Sequence, residues 1–131
     1  MENNQTISKG RLYTSYGLQG LVSLMFLMGA FMNISQNAEA VKGATDMGFA
    51  ETSVLYLGII LLLSTLLYIF PKTSILGALL LTAWLGGAVA THMIHKDEMS
   101  KTLAPIIFGV LVWVALWLRE GKLSSIFPFK A

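Results

Sequence analysis

The sequence predicts an all-α integral membrane protein, one domain over residues 1–131, folded as a four-helix bundle with antiparallel up-down-up-down helices. Three observations predict it. Charged residues make up only 12% of the chain, too few to coat a soluble surface when about 25% is usual. Hydrophobic residues make up 55% and fall in blocks too long for an ordinary core. Polar connections carrying proline, glycine or capping residues separate those blocks into helices. A net charge of +2 with no basic run excludes a nucleic-acid partner. The absence of cysteine excludes disulfides, thiol catalysis, iron–sulfur clusters and cysteine-ligated zinc within the chain.

The first helix is predicted over about residues 12–35, after a polar start and the flanking basic residues Lys9 and Arg11. It is long enough to cross about 30 Å of hydrocarbon. Gln19 lies within it, near the basic end. Ala38-Glu39-Ala40 resembles a signal-peptide cleavage site, but the apolar stretch before it exceeds the usual signal core, so a retained span is expected. Residues 36–51 form a polar connection, in which Ala38 to Met47 can make a short interfacial helix. Thr52 or Ser53 is expected to cap the second helix, residues 53–70, by accepting from its free amides. That helix is apolar on all faces and is stopped by Pro71.

Thr73 is expected to cap the third helix, residues 73–95, and so short a connection makes helices two and three antiparallel neighbours. Small residues recur along the third helix at Ala78, Thr82, Gly86 and Ala90, with Ala83, Gly87 and Thr91 beside them. Such rows permit close helix approach in lipid, so this helix is expected to be the most buried. The same rows serve packing within one chain and homo-oligomers equally well. Thr102 is expected to cap the fourth helix, about residues 104–119, with Pro105 in its first turn. The tail, with Phe127, Phe129 and Lys130, reads as interfacial. Lys9, Arg11, Lys72, Arg119, Lys122 and Lys130 fall on one side of such a bundle, and Lys42, Lys96 and Lys101 on the other. Six against three puts both termini in the cytoplasm of a cell with this protein in its inner (plasma) membrane. Tyr13, Tyr16, Tyr68 and Trp117 then form an inner aromatic belt, with Tyr56 near the outer face.

The chain resembles the DoxX-like family of small four-helix membrane proteins. The likeness is carried by GLQGLVSLMFLMGAFMNIS, by LGIILLLSTLLYIFPKTSILGALLLTAWLGGAVATHMIHKD and by APIIFGVLVWVALWLRE. Its most specific parts are Pro71-Lys72-Thr73, Leu76-Gly77-Ala78, and Gly86 through His92. The resemblance implies a four-helix bundle and links to quinone-coupled or other membrane redox complexes, or to assembly of other membrane proteins. A quinone cofactor is implied by the resemblance alone. Many relatives look to carry a lysine near the end of helix one and a glutamate in helix two, where this chain has Asn33 and Leu61. Losing both charges together is physically consistent, because one alone in lipid is costly.

His92 and His95 lie three residues apart at a helix end, near Asp97 and Glu98. Imidazoles bind zinc, copper or iron. Two at this spacing fall short of a ligand set, and no HExxH pattern is present, so bonds to water or to the last carbonyls are the structural alternative. His92 beside Thr91 is the stronger ligand candidate, able to hydrogen-bond a quinone carbonyl or a lipid headgroup. Asn33 and Ser35 are placed at similar depth and are expected to join His92 in a polar pocket. Trp84 and Trp113 sit near mid-membrane, as an aromatic wall for a flat ligand or as packing opposite the glycines. The tentative ligand set is therefore Asn33, Trp84, Thr91 and His92. The helix interiors carry no Asp, Glu, Lys or Arg, which argues against a pump or transporter. No catalytic constellation is visible. The sequence thus points to an accessory membrane subunit holding a lipid-soluble ligand or a membrane partner. The alternatives are a quinone-linked oxidoreductase subunit with a redox protein partner, or a membrane-protein assembly chaperone.

Overall fold

The computed structural model describes residues 7–126. It contains α1 (Lys9–Ile34), α2 (Ala38–Asp46), α3 (Ser53–Ile69), α4 (Ser74–Ile94), α5 (Met99–Trp117) and α6 (Gly121–Ile126), with no strand among the described residues. The four expected long helices are α1, α3, α4 and α5; two short ones accompany them, α2 where a short interfacial helix was allowed and α6, which was not expected. The polar connection folds as α2, started by Asn37, whose side chain accepts from the Glu39 amide at 2.9 Å. The stretch after Arg119 turns again as α6. Phe127, Phe129 and Lys130 lie outside the described residues.

α1, α4 and α5 are long and apolar enough to cross a membrane, and α3 is a shorter apolar helix of 17 residues. The four touch in a ring: α1 meets α3, α3 meets α4, α4 meets α5, and α5 returns to α1, while the diagonal pairs do not approach closely. Neighbours run antiparallel. The start of α1 lies by the ends of α3 and α5, where Gln19 Nε2 donates to the Tyr68 carbonyl and Ser15 Oγ to that of Ala115. The end of α1 lies by the start of α3, where Asn33 faces Gly58.

Which face points inward is set by polarity and size more than by hydrophobicity. The buried residues of α1 include Ser15, Gln19 and Ser23, and those of α3 include Ser64, Thr65 and Tyr68. Lipid solvates leucine as well as a protein interior does, but leaves a polar group unpartnered, so the polar side chains turn inside. Ser64 and Thr65 bond their own helix, to the carbonyls of Ile60 and Leu61. Tyr68, expected in the aromatic belt, is instead fully buried, and its hydroxyl crosses the ring to donate to the Val112 carbonyl at 2.8 Å. Tyr13 and Tyr16 are exposed as expected of a belt, as is Tyr56.

Two glycines make close approach possible. A Cβ on Gly77 would stand 2.1 Å from the Tyr68 amide nitrogen, and one on Gly58 2.8 Å from Asn33 Cβ. Of the expected small-residue rows on α4, Ala78 is buried in the core, but the later members do not make a close helix contact. Thr82, Ala83, Gly86, Gly87 and Ala90 are exposed, and a Cβ at Gly86 or Gly87 meets nothing within 4 Å. α4 is therefore not the most buried helix: 28% of its most apolar stretch is inside, the same share as for α1. Its contacts come from its first half, through Gly77, Ala78, Leu81 and Leu85.

The caps also differ from expectation. Thr52 and Thr73 hold the N-cap positions of α3 and α4, but neither side chain accepts a capping bond. Thr73 Oγ1 instead donates to the Leu67 carbonyl at 2.7 Å, fastening the α3–α4 turn. α5 starts about one and a half turns earlier than expected, with Glu98 at the N-cap, so Thr102 and Pro105 are inside the helix and buried. α1 and α4 both end in a left-handed residue, Gln36 (φ 55°) and Lys96 (φ 60°). The next amide bonds back into the last turn, from Asn37 to the Met32 carbonyl and from Asp97 to that of His92.

Candidate functional site

Thr82 and Gly86, from the exposed small-residue row of α4, line a groove of about 620 Å³ along its seam with α5. Such a volume lies inside the roughly 300–1,000 Å³ common for small-molecule sites. Leu85, Gly86 and Val89 line it from α4, and Pro105, Gly109 and Trp117 are among the residues lining it from α5. Glycine on both walls keeps it open: a Cβ at Gly109 would find only Leu85 Cδ1, at 3.8 Å. Trp113 and Thr82 also line it, and there Trp113 Nε1 donates to Thr82 Oγ1 at 2.7 Å. Thr82 Oγ1 in turn donates to the Ala78 carbonyl at 2.7 Å, so this polar pair is satisfied within the protein. The wall it leaves is apolar.

The tentative ligand residues have separate partners. Asn33 packs against Gly58, at the α1–α3 seam. Trp84 Nε1 donates to the Leu57 carbonyl on α3 at 3.3 Å. Thr91 Oγ1 donates to the Gly87 carbonyl of its own helix at 2.7 Å. His92 Nδ1 lies 2.7 Å from one oxygen of Asp97, and His95 Nδ1 lies 2.8 Å from the other. Asn33 and His92 stand on the diagonal helices α1 and α4, which do not approach closely. None of these four residues lines the groove; of the two tryptophans considered as a wall for a flat ligand, Trp113 does.

The histidine pair is thus built by the end of α4. The backbone bond from Asp97 to the His92 carbonyl turns the chain back, and the carboxylate then bridges both imidazoles. Asp97 is 13% exposed in its side chain. Hydrogen bonds from His92 and then His95, aided by the charges of His95 and Lys101, hold its carboxyl below the usual carboxylate range. The arrangement clamps the α4–α5 turn. Asn33 and Leu61, where the resemblance suggested a charge pair, both lie in the α1–α3 seam: Leu61 Cδ2 stands 3.6 Å from a Cβ built on Gly29.

At the opposite end, a second polar cluster joins α1, α3 and α5. Besides the bonds of Ser15 and Gln19, Arg119 Nη1 donates to Ser15 Oγ at 2.7 Å and its guanidinium lies 4.6 Å from the centre of the Tyr16 ring. Arg11 lies 5.4 Å from the centre of the Trp117 ring. Sequence reasoning singled out Gln19 but missed its companions. Their signal was the spacing of Ser15, Gln19 and Ser23, four apart on one face of an otherwise apolar helix.

A ring of apolar helices, with polar side chains turned inward and a groove along the α4–α5 seam, defines a small helical membrane protein. The chain belongs to the DoxX-like family, whose sequence model matches residues 17–115. The match takes in both sides of the α4–α5 seam and His92, but leaves Arg11, Trp117 and Arg119 outside it. No curated protein and no solved structure matches the chain.

Proposed function

We propose that the protein crosses an inner membrane four times as one unit, with both termini cytoplasmic, and holds a lipid-soluble ligand in the α4–α5 groove as an accessory subunit. The 17 residues of α3 span about 26 Å, at the short end of the range for a crossing. The excess of basic residues at the ends of the chain and at Lys72 supports the orientation. The groove carries the functional reading: it is apolar, lipid-facing, and kept open by glycine where packing would favour larger side chains. It is a better site than the neighbourhood of Asn33, Thr91 and His92: the Thr91 hydroxyl and His92 Nδ1 are partnered elsewhere, and Asn33 stands at the α1–α3 seam, on a helix that does not approach α4 closely.

Gly86→Leu tests this reading. A Cβ at Gly86 meets nothing within 4 Å, and the rest of the side chain is expected to enter the groove that Gly86 lines. In native mass spectrometry of protein released gently from its own membranes, the wild type is expected to carry a stoichiometric lipid-soluble molecule that Gly86→Leu loses. A bare wild type bound to another polypeptide would replace ligand binding with a scaffold role.

A further inference from the structure

The groove has two unlike ends, and the difference identifies its occupant. At one end Trp117 forms part of the wall, and the Arg11 guanidinium lies 5.4 Å from the centre of that ring. Arg11 is exposed and has no carboxylate within ion-pair distance among the described residues. A second guanidinium, Arg119, is fixed at the same end of the helices by Ser15 and Tyr16. A cation held on an aromatic face with its donors free matches the geometry of a phosphate, which guanidinium binds through paired N–H groups. The rest of the groove offers the opposite chemistry, since the Thr82–Trp113 pair is internally satisfied. Its length fits as well. From Pro105 to Trp117 the wall of α5 rises about 18 Å, a little more than one leaflet of a bilayer whose hydrocarbon core is about 30 Å thick.

Resting on the reading of the groove as a ligand site, we infer that its occupant is an anionic phospholipid of the leaflet at the Arg11 end. One acyl chain lies along α4 and α5, and the phosphate meets Arg11 beside Trp117. The ends differ in charge: at the α4–α5 turn Asp97 and Glu98 offset Lys96 and Lys101, whereas Lys9, Arg11, Arg119 and Lys122 outnumber Glu120 at the other end, so a phosphate is favoured there. Arg11 and Trp117 lie beyond the stretch matched by the family.

Tryptophan fluorescence in vesicles tests both layers separately. The full chain, in a Trp84→Phe background that leaves the two groove indoles, is placed in vesicles mixing ordinary phosphatidylcholine with brominated phosphatidylglycerol or brominated phosphatidylcholine. Brominated chains quench indoles they touch. The expected result is severalfold stronger apparent binding of the brominated phosphatidylglycerol, reduced to parity by Arg11→Gln and retained in part by Arg11→Lys. Gly86→Leu is expected to lower quenching by both lipids. Equal quenching by both headgroups in the wild type, still lowered by Gly86→Leu, would overturn the anionic lipid and leave the groove reading standing. A preference that survives Arg11→Gln would overturn the placement of the phosphate. Quenching indifferent to Gly86→Leu would overturn the groove itself. Weak quenching by either lipid, together with a dimer in native mass spectrometry, would seat a second copy there and overturn both.

Discussion

At the level of single residues, glycines of identical sequence appearance do opposite things. Gly77 sits where the α3–α4 turn brings backbone against backbone, and a Cβ there would collide with the Tyr68 amide at 2.1 Å. Neither atom is the end of a flexible side chain, so the helices must part. Gly77→Ala is expected to cost about 1–3 kcal/mol, in the range of overpacked cores. Gly87→Ala meets nothing within 4 Å and is expected to be neutral or to stabilise by up to about 1 kcal/mol. Thermal unfolding of both variants in the same detergent checks the contrast. Spacing alone could not separate them, because a period of four marks a face without saying what lies opposite. Asp97 makes a prediction of a different kind. Its carboxyl is held low by the two histidines, so the unfolded chain binds this proton more readily than the folded one. The contribution is complete above the ordinary carboxylate value of about 3.9 and fades as pH falls through the lowered folded value. Stability measured from pH 6 down to pH 3 should drop in the wild type more than in Asp97→Asn. Equal acid sensitivity would remove the clamp.

At the level of elements, helix existence was legible and helix orientation was not. Apolar length, Pro71 and the capping residues located α1, α3 and α4 to within a few residues, because chain breaks and hydrocarbon length are local properties. The start of α5 was misplaced because Thr102 and Pro105 look like a helix beginning. Proline is tolerated further in, and here it is buried in the groove wall. The inward face of α3 was invisible to a reading that saw an all-apolar helix. Its markers were Ser64, Thr65 and Tyr68, since polar atoms rather than leucines distinguish inside from outside in lipid. The same reasoning explains α4, whose small residues past Leu85 are exposed beside the groove rather than buried in a helix contact.

At the level of the whole molecule, the ring is closed by pairs of neighbours and braced across its diagonal by Tyr68. Its hydroxyl joins α3 to α5, and its carbonyl accepts from Gln19 of α1, so one residue ties three helices. Tyr68→Phe removes one bond and leaves the Val112 carbonyl to its helical partner. The expected loss is about 1 kcal/mol, typical of interhelical hydrogen bonds in membranes. A loss within error would make the brace a consequence of packing. The cluster of Ser15, Gln19 and Arg119 is assembled from separate elements, which is why it was only partly readable. Asn33, Thr91 and His92 were plausible partners by depth, but depth along a helix does not say which helices adjoin.

The placement of the groove against lipid, and of Arg11 at the cytoplasmic face, depends on α3 crossing the membrane despite its 17 residues. The chain has no cysteine, so single cysteines can report sidedness without interference. The most direct measurement is labelling of Ser8→Cys, Lys72→Cys and Lys96→Cys in sealed cells by a membrane-impermeant maleimide. Labelling of Lys96→Cys alone, with the other two reached only after permeabilisation, is the result expected. Labelling of Lys72→Cys from the outside while Ser8→Cys stays protected would mean that α3 does not cross, and would contradict the four-span arrangement.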